Sequence, residues 1–181
     1  MRIVSGTWGS RKIEAPEGRN TRPTLDKVRE AVFSSLGGFF DGGNVLDLYA
    51  GSGAVGLEAL SRGMEHGWFV DKNRMALACI RSNIEHLNAQ PYCTVLNMSA
   101  RHAIETLAEQ GVTFALVYLD PPYQQQENEQ IMRLLTEKNL LAPMGTVVIE
   151  AAKEDIYQET CGSLILYKRA VYGITQVLYY H

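Results

Sequence analysis

Long apolar runs are missing from this 181-residue chain: none approaches the ~18 residues that a membrane-spanning helix needs. The N-terminal stretch also lacks an apolar core of the signal-peptide kind, so a cytoplasmic location is expected. Cysteine is scarce and odd in number. Cys79, Cys93 and Cys161 sit at spacings unlike any zinc pattern, and His66, His86, His102 and His181 are equally scattered, so reduced structural thiols and no metal are expected. Positive charge is not in excess either. The net −3 at pH 7 argues against generic nucleic-acid binding, whose backbone affinity comes from Lys and Arg neutralising phosphates. Repeats, low-complexity tracts and an interdomain linker are absent. The length suits one domain that buries a proper core, without room for a separate target-recognition domain. No G-x-x-x-x-G-K-[ST] loop occurs, which leaves nucleotide hydrolysis without support.

The charge that is present is unevenly placed. Through Glu30, seven Lys and Arg face four Asp and Glu, a net +3 that leaves −6 for the remainder. A basic N-terminal arm on an acidic body suits an enzyme that grips a structured nucleic acid on one side, although solvated surface charge gives the same balance. Arg2-Ile3-Val4 and Arg11-Lys12-Ile13, separated by Gly6, Gly9 and Ser10, read as a short basic hairpin. A helix follows Pro23 and Thr24, with Val28, Ala31, Val32, Ser35 and Leu36 on one face and Gly37-Gly38 as its stop. After Gly42-Gly43 strands and helices alternate. Strands are expected near 44–49, 67–71, 93–97, 114–119 and 145–150, with helices near 53–63, 73–87, 100–110 and 127–138. That alternation predicts a parallel sheet covered on both faces. The segments 163–171 and 174–180 are joined only by Tyr172-Gly173, so they must pair as an antiparallel hairpin.

Two motifs close strands of this pattern. Directly after Phe114-Ala115-Leu116-Val117-Tyr118-Leu119 comes Asp120-Pro121-Pro122-Tyr123. An Asp oxygen and the Pro121 carbonyl are both acceptors and can take the two N–H bonds of an exocyclic amine, on whose ring Tyr123 can stack. Two prolines in a row hold those acceptors stiffly, though a strand leaving through a proline turn would look the same. Upstream, Val45-Leu46-Asp47-Leu48-Tyr49-Ala50-Gly51-Ser52-Gly53-Ala54-Val55-Gly56 reads as strand, glycine turn and helix start, fitting G-x-G-x-x-G. Asp71 closes the next strand about 20 residues on, where an acid commonly binds ribose hydroxyls. That much also fits a dinucleotide site. Asp47 decides between them, because a carboxylate four residues before the first glycine repels a pyrophosphate and attracts the cationic amino acid end of S-adenosylmethionine. A carboxylate that merely caps the loop is the competing assignment.

The loop from Asp47 to Gly56, Asp71 and Asp120-Pro-Pro-Tyr123 resemble the motifs of class I S-adenosylmethionine-dependent methyltransferases acting on exocyclic or amide nitrogens. Met1-Arg-Ile-Val-Ser-Gly6, Asn20-Thr-Arg-Pro-Thr24 with Asp26-Lys-Val-Arg-Glu-Ala31, the run from Leu46 to Gly63 and Tyr172-Gly-Ile-Thr175 narrow the resemblance to the bacterial RsmD family, small-subunit 16S rRNA (guanine-N2)-methyltransferases. The resemblance covers essentially the whole chain. It implies an α/β, Rossmann-like methyltransferase fold whose mostly parallel seven-stranded sheet has the order 3-2-1-4-5-7-6. It also implies a single domain, with residues 1–42 as an N-terminal extension and 43–181 as the catalytic core. S-adenosylmethionine is the expected cofactor, held by Asp47, Gly51, Ser52, Gly53 and Asp71. After strand three the family often holds the adenine through an Asp. Here Asn97-Met98-Ser99-Ala100 offers only neutral groups, so Ser99 and Ala100 share that assignment with a plain helix N-cap at Ser99. Asp120, Pro121, Pro122 and Tyr123 are the catalytic candidates. Arg11, Lys12, Arg19 and Arg22 are the RNA-binding candidates, toward 16S rRNA in a small subunit or its assembly intermediate. Three rivals stand beside this reading: a DNA adenine-N6 methyltransferase, a protein glutamine methyltransferase, which typically has Asn where Asp120 stands, and a non-catalytic RNA-binding subunit on the same scaffold.

Overall fold

The computed structural model describes residues 1–16, 23–122 and 125–181, with the side chains at 23, 24, 125 and 126 excepted. Arg19, Arg22 and Tyr123 lie outside the described residues. Alternation runs as the periodicity implies: α1 (Pro23–Ser35), β1 (Asn44–Asp47), α2 (Ala54–Ser61), β2 (His66–Asp71), α3 (Arg74–His86), β3 (Cys93–Asn97), α4 (Ala100–Glu109), β4 (Phe114–Leu119), α5 (Gln125–Glu137) and β5 (Leu141–Ala152). The chain ends in β6 (Thr160–Cys161), β7 (Leu164–Tyr172) and β8 (Thr175–Tyr180). Among the described residues no helix is long and apolar enough to cross a membrane.

Among the described residues, eight strands share one sheet of order β3-β2-β1-β4-β5-β8-β7-β6. The first five are parallel, and β8 and β7 add the antiparallel hairpin, Tyr172 pairing with Thr175. Seven of these strands follow the expected order. The eighth, β6, is a two-residue edge strand paired with β7, too short to leave a periodic signal. Strand β5 starts four residues earlier than expected, because a bulge opposite Phe114 and Leu116 absorbs the segment that carries exposed Met144.

The sheet is covered on both faces by alternate residues of its central strands. Val45, Leu116, Tyr118 and Val148 pack with α2, α3, α1 and Ile3 and Ile13 of the N-terminal arm. Leu46, Val117, Leu119 and Ile149 pack with α4 and α5. The arm pairs as the expected short hairpin, with an antiparallel bridge between Arg2 and Lys12 and Ile3 and Ile13 donating to the Arg11 and Met1 carbonyls. Helix α2 is buried almost all round, because the arm covers the side turned away from the sheet. Val4 and Ser5 donate their N–H groups to the Glu58 carboxylate at 2.8 and 3.0 Å, and Thr7 and Trp8 donate to the Ser61 carbonyl and Oγ at 2.8 and 2.9 Å. Such backbone groups need partners once buried, and the polar residues of α2 supply them.

Candidate active site

Strands β1 and β4 are neighbours at the point where the order of the sheet reverses, the usual ligand crevice of such sheets. Asp47 ends β1 on the face covered by α2. It is 2% exposed, and its Oδ2 accepts from the Gly56 N–H at 3.1 Å. Burial pushes its carboxyl up to about 7; the Gly56 hydrogen bond opposes the shift and the Asp71 charge adds to it. An acid so poorly solvated suits a cationic ligand, which would restore the ionised form.

The glycine loop is shaped around the two acids. Gly53, at the N-cap of α2, has φ 80°, a conformation that L side chains rarely adopt. At Gly56 a Cβ would stand 2.4 Å from the Phe69 ring, so a side chain there would push α2 off β2. Gly51 donates its N–H to Asp71 Oδ2 at 3.0 Å, and Asn73 donates to Asp71 Oδ1 at 2.9 Å. Each carboxylate oxygen has a second lone pair for a ligand hydroxyl. Asn83 of α3 donates to the carbonyls of Ser52 and Glu14, both at 2.9 Å, tying the loop to the arm.

A cleft of about 770 Å³, open solvent at its mouth included, runs along these strand ends. It gathers Asp47, Gly51, Ser52 and Asp120, while Leu25, Val28 and Arg29 of α1 and Pro16 of the arm form the opposite wall. Asp71 stands one hydrogen bond behind Gly51. Pro121 and Pro122 follow Asp120 directly. Ser99 and Ala100 are not part of this lining. Ser99 caps α4 by accepting from the His102 N–H at 3.2 Å, and Ala100 is buried. The Arg11 guanidinium donates to the His86 carbonyl at the end of α3, whereas Lys12 is exposed.

Sequence reasoning missed four residues here. Tyr118, 2% exposed, donates its hydroxyl to Glu150 Oε2 at 2.8 Å, and both line the cleft. Burial, then the charges of Glu150 and Asp120, hold the Tyr118 hydroxyl well above its usual range. Burial also raises the Glu150 carboxyl, with the Tyr118 hydrogen bond and the Arg29 charge opposing. Arg29 pairs with Glu58 at 3.3 Å and with Asp26 at 3.0 Å, and Glu58, wholly buried, also pairs with Arg62 at 2.7 Å. Glu150 did carry a signal: it follows Val147-Val148-Ile149 as Asp120 follows its own apolar strand. The burial of Arg29 had none, because Glu58 lies 29 residues away.

A profile of the family described as Conserved hypothetical protein 95 matches residues 1–181. Over 180 residues the chain is 39% identical to a Bacillus subtilis protein named Putative rRNA methyltransferase YlbH, spanning 99% of this chain and 98% of that one. Over 179 residues it is 32% identical to the Escherichia coli Ribosomal RNA small subunit methyltransferase D, spanning 99% and 87%. The chain belongs to this family, the RsmD methyltransferases. The solved structure of an Escherichia coli protein described as Putative methyltransferase yhhF superposes with a TM-score of 0.85 at 31% identity, covering 99% of this chain and 96% of that one. The crevice of an RsmD-family fold is therefore the place to seek methyl transfer, and Asp47 and Asp120 both face it.

Proposed function

We propose that the protein methylates the exocyclic N2 of a guanine in small-subunit rRNA. Its cofactor is S-adenosylmethionine. The observation that carries the reading is the meeting of Asp47 and Asp120 in one cleft, from neighbouring strands. Asp47 suits the cationic amino group of the cofactor, Gly51, Ser52 and Gly53 allow close backbone approach, and Asp71 suits the ribose hydroxyls. Ser99 and Ala100 remain the candidates beside the adenine. The relatives' names support an rRNA substrate.

S-adenosylmethionine supplies a methyl group on a cationic sulfur that leaves as a neutral thioether. The work left to the protein is positioning and electrostatics. Guanine N2 is a poor nucleophile because its lone pair is spread into the ring. Asp120 and the Pro121 carbonyl accept its two N–H bonds, favour a pyramidal nitrogen and aim the freed lone pair. Pro122 stiffens the turn that holds them, since the residue before a proline is kept extended. Tyr123 offers a stacking surface to the base drawn from its helix. Once the N–C bond has formed, N2 carries the positive charge, and Asp120 is placed to accept the proton and pass it to water. Mass spectrometry of small-subunit rRNA nucleosides tests this. A strain without the gene should lack one N2-methylguanosine, and purified protein with S-adenosylmethionine should restore it. An unchanged nucleoside profile would contradict the reading.

A further inference from the structure

Glu150 has no task in the transfer just described, yet it shares the cleft with Asp120. Strand β5 runs parallel to β4 in the register Tyr118 opposite Val148 and Leu119 opposite Ile149. Continued one residue past the end of β4, that register brings Asp120 toward Glu150, and both line the cleft. Side chains of a strand alternate between faces, so Tyr118, Asp120 and Glu150 all project to the face that holds Asp47. Neighbouring strands lie ~4.8 Å apart, close enough for two side chains to converge on one base.

From this placement, and resting on the guanine-N2 reading above, we propose that Glu150 reads the target base by accepting the N1–H of guanine while Asp120 and Pro121 hold the N2 amine. The Tyr118 hydroxyl donates to Glu150 Oε2, which fixes the carboxylate and takes that donor away from a lone pair on the base. Ionised carboxylates and backbone carbonyls only accept. The groups assigned to the base are thus all acceptors: Asp120 and Glu150, which line the cleft, and the carbonyl of Pro121, which follows Asp120. Guanine matches them, with N1–H next to an N2 amine. Adenine and cytosine place a bare ring nitrogen next to their amines, and that lone pair would face the Glu150 carboxylate. Arg29 is 6% exposed on the opposite wall, and its positive charge, with the Tyr118 hydrogen bond, opposes the upward shift that burial gives the Glu150 carboxyl. Its Nε and Nη2 are engaged by Glu58, Asp26 and the Arg2 carbonyl, so it acts on Glu150 through charge. The N-terminal extension would in this way contribute to base choice as well as to the cleft wall.

The test pairs a variant with a base analogue. Small-subunit rRNA is ligated with guanine or 2-aminopurine at the methylated position, assembled into subunits, and followed in single-turnover methyl transfer. 2-Aminopurine keeps the amine but has a bare N1 and no O6. The parent should favour guanine by about tenfold or more, since a site built around a hydrogen bond rejects an analogue that cannot make it. Glu150→Gln retains an oxygen for the Tyr118 hydroxyl and turns an N–H toward N1, so the preference should shrink by about tenfold or invert toward 2-aminopurine, with S-adenosylmethionine affinity unchanged by calorimetry. Should that variant lose cofactor binding, Glu150→Asp, which withdraws the carboxylate, is read for the same collapse of preference. A preference equal to the parent's, or an equal loss on both bases, would overturn the Glu150 assignment alone. A parent that leaves guanine N2 unmethylated would overturn the guanine reading and this one together.

Discussion

Asp47 is held away from water on the edge of a cleft, and its titration follows from that position. In the free protein its carboxyl is raised from 3.8 to about 7. The folded state therefore binds more protons than the unfolded chain across that interval, and the stability linked to this group is full below it and lost as pH rises through about 7. A cofactor ammonium beside Asp47 would pull the value back down. Binding at about pH 6 should then release a proton, and affinity should rise with pH and level off above about 7. Calorimetry in buffers of different ionisation enthalpy reads the released proton directly. In Asp47→Asn the release should vanish and affinity should fall; a release that persists would place the cationic end elsewhere. Asp71 accepts from Gly51 and Asn73, and with the ribose hydroxyls assigned to it as well, Asp71→Ala should weaken cofactor binding by about 1–3 kcal/mol. Unchanged affinity would remove Asp71 from the ribose.

Helix α2 joins the arm to the sheet, and Glu58 is where the three meet. Its carboxylate takes Val4 and Ser5 N–H groups and the Arg29 and Arg62 guanidinium groups with no exposure to solvent. Removing one partner of a buried ion pair leaves the other uncompensated, at a cost of about 3–5 kcal/mol. Glu58→Ala should therefore lower the urea midpoint by that equivalent, with Glu58→Gln in between. A midpoint within error of the parent's would show that the arm docks without this carboxylate. Elements were readable in the sequence where a periodic run was long and sharply ended. Asp47 and Asp71 close their apolar strands, Gly37-Gly38 follows α1, and the Tyr172-Gly173 link forced an antiparallel pair. The unread parts have physical reasons. Two residues of β6 cannot show a period, and the bulge that lengthens β5 depends on the register against Phe114. The cleft gathers Asp47, Gly51, Ser52 and Asp120 because strand ends of neighbouring parallel strands coincide, which a strand order alone foretells. Arg29 escaped notice because an arginine reads as surface charge until its buried partners are placed.

Across the whole molecule, charge and shape divide the work between an acidic body and a basic extension. The extension forms one wall of the cleft, so the RNA grip proposed for its basic residues would share a segment with the site. Arg11 is engaged by α3 and Lys12 is exposed, which makes Lys12 the cleaner probe of phosphate contact. Lys12→Ala should flatten the log–log salt dependence of RNA binding by about 0.7–0.9 and leave cofactor affinity intact. A slope identical to the parent's would remove Lys12 from the interface. The central claim is that Asp120 holds the acceptor amine in the transition state, and single-turnover methyl transfer by Asp120→Ala tests it most directly. The rate should fall by about 10²-fold or more, with S-adenosylmethionine still bound at parental affinity. Asp120→Asn keeps one acceptor oxygen and should retain part of the activity if positioning dominates. Parental rates of guanine N2 methylation by Asp120→Ala would contradict it.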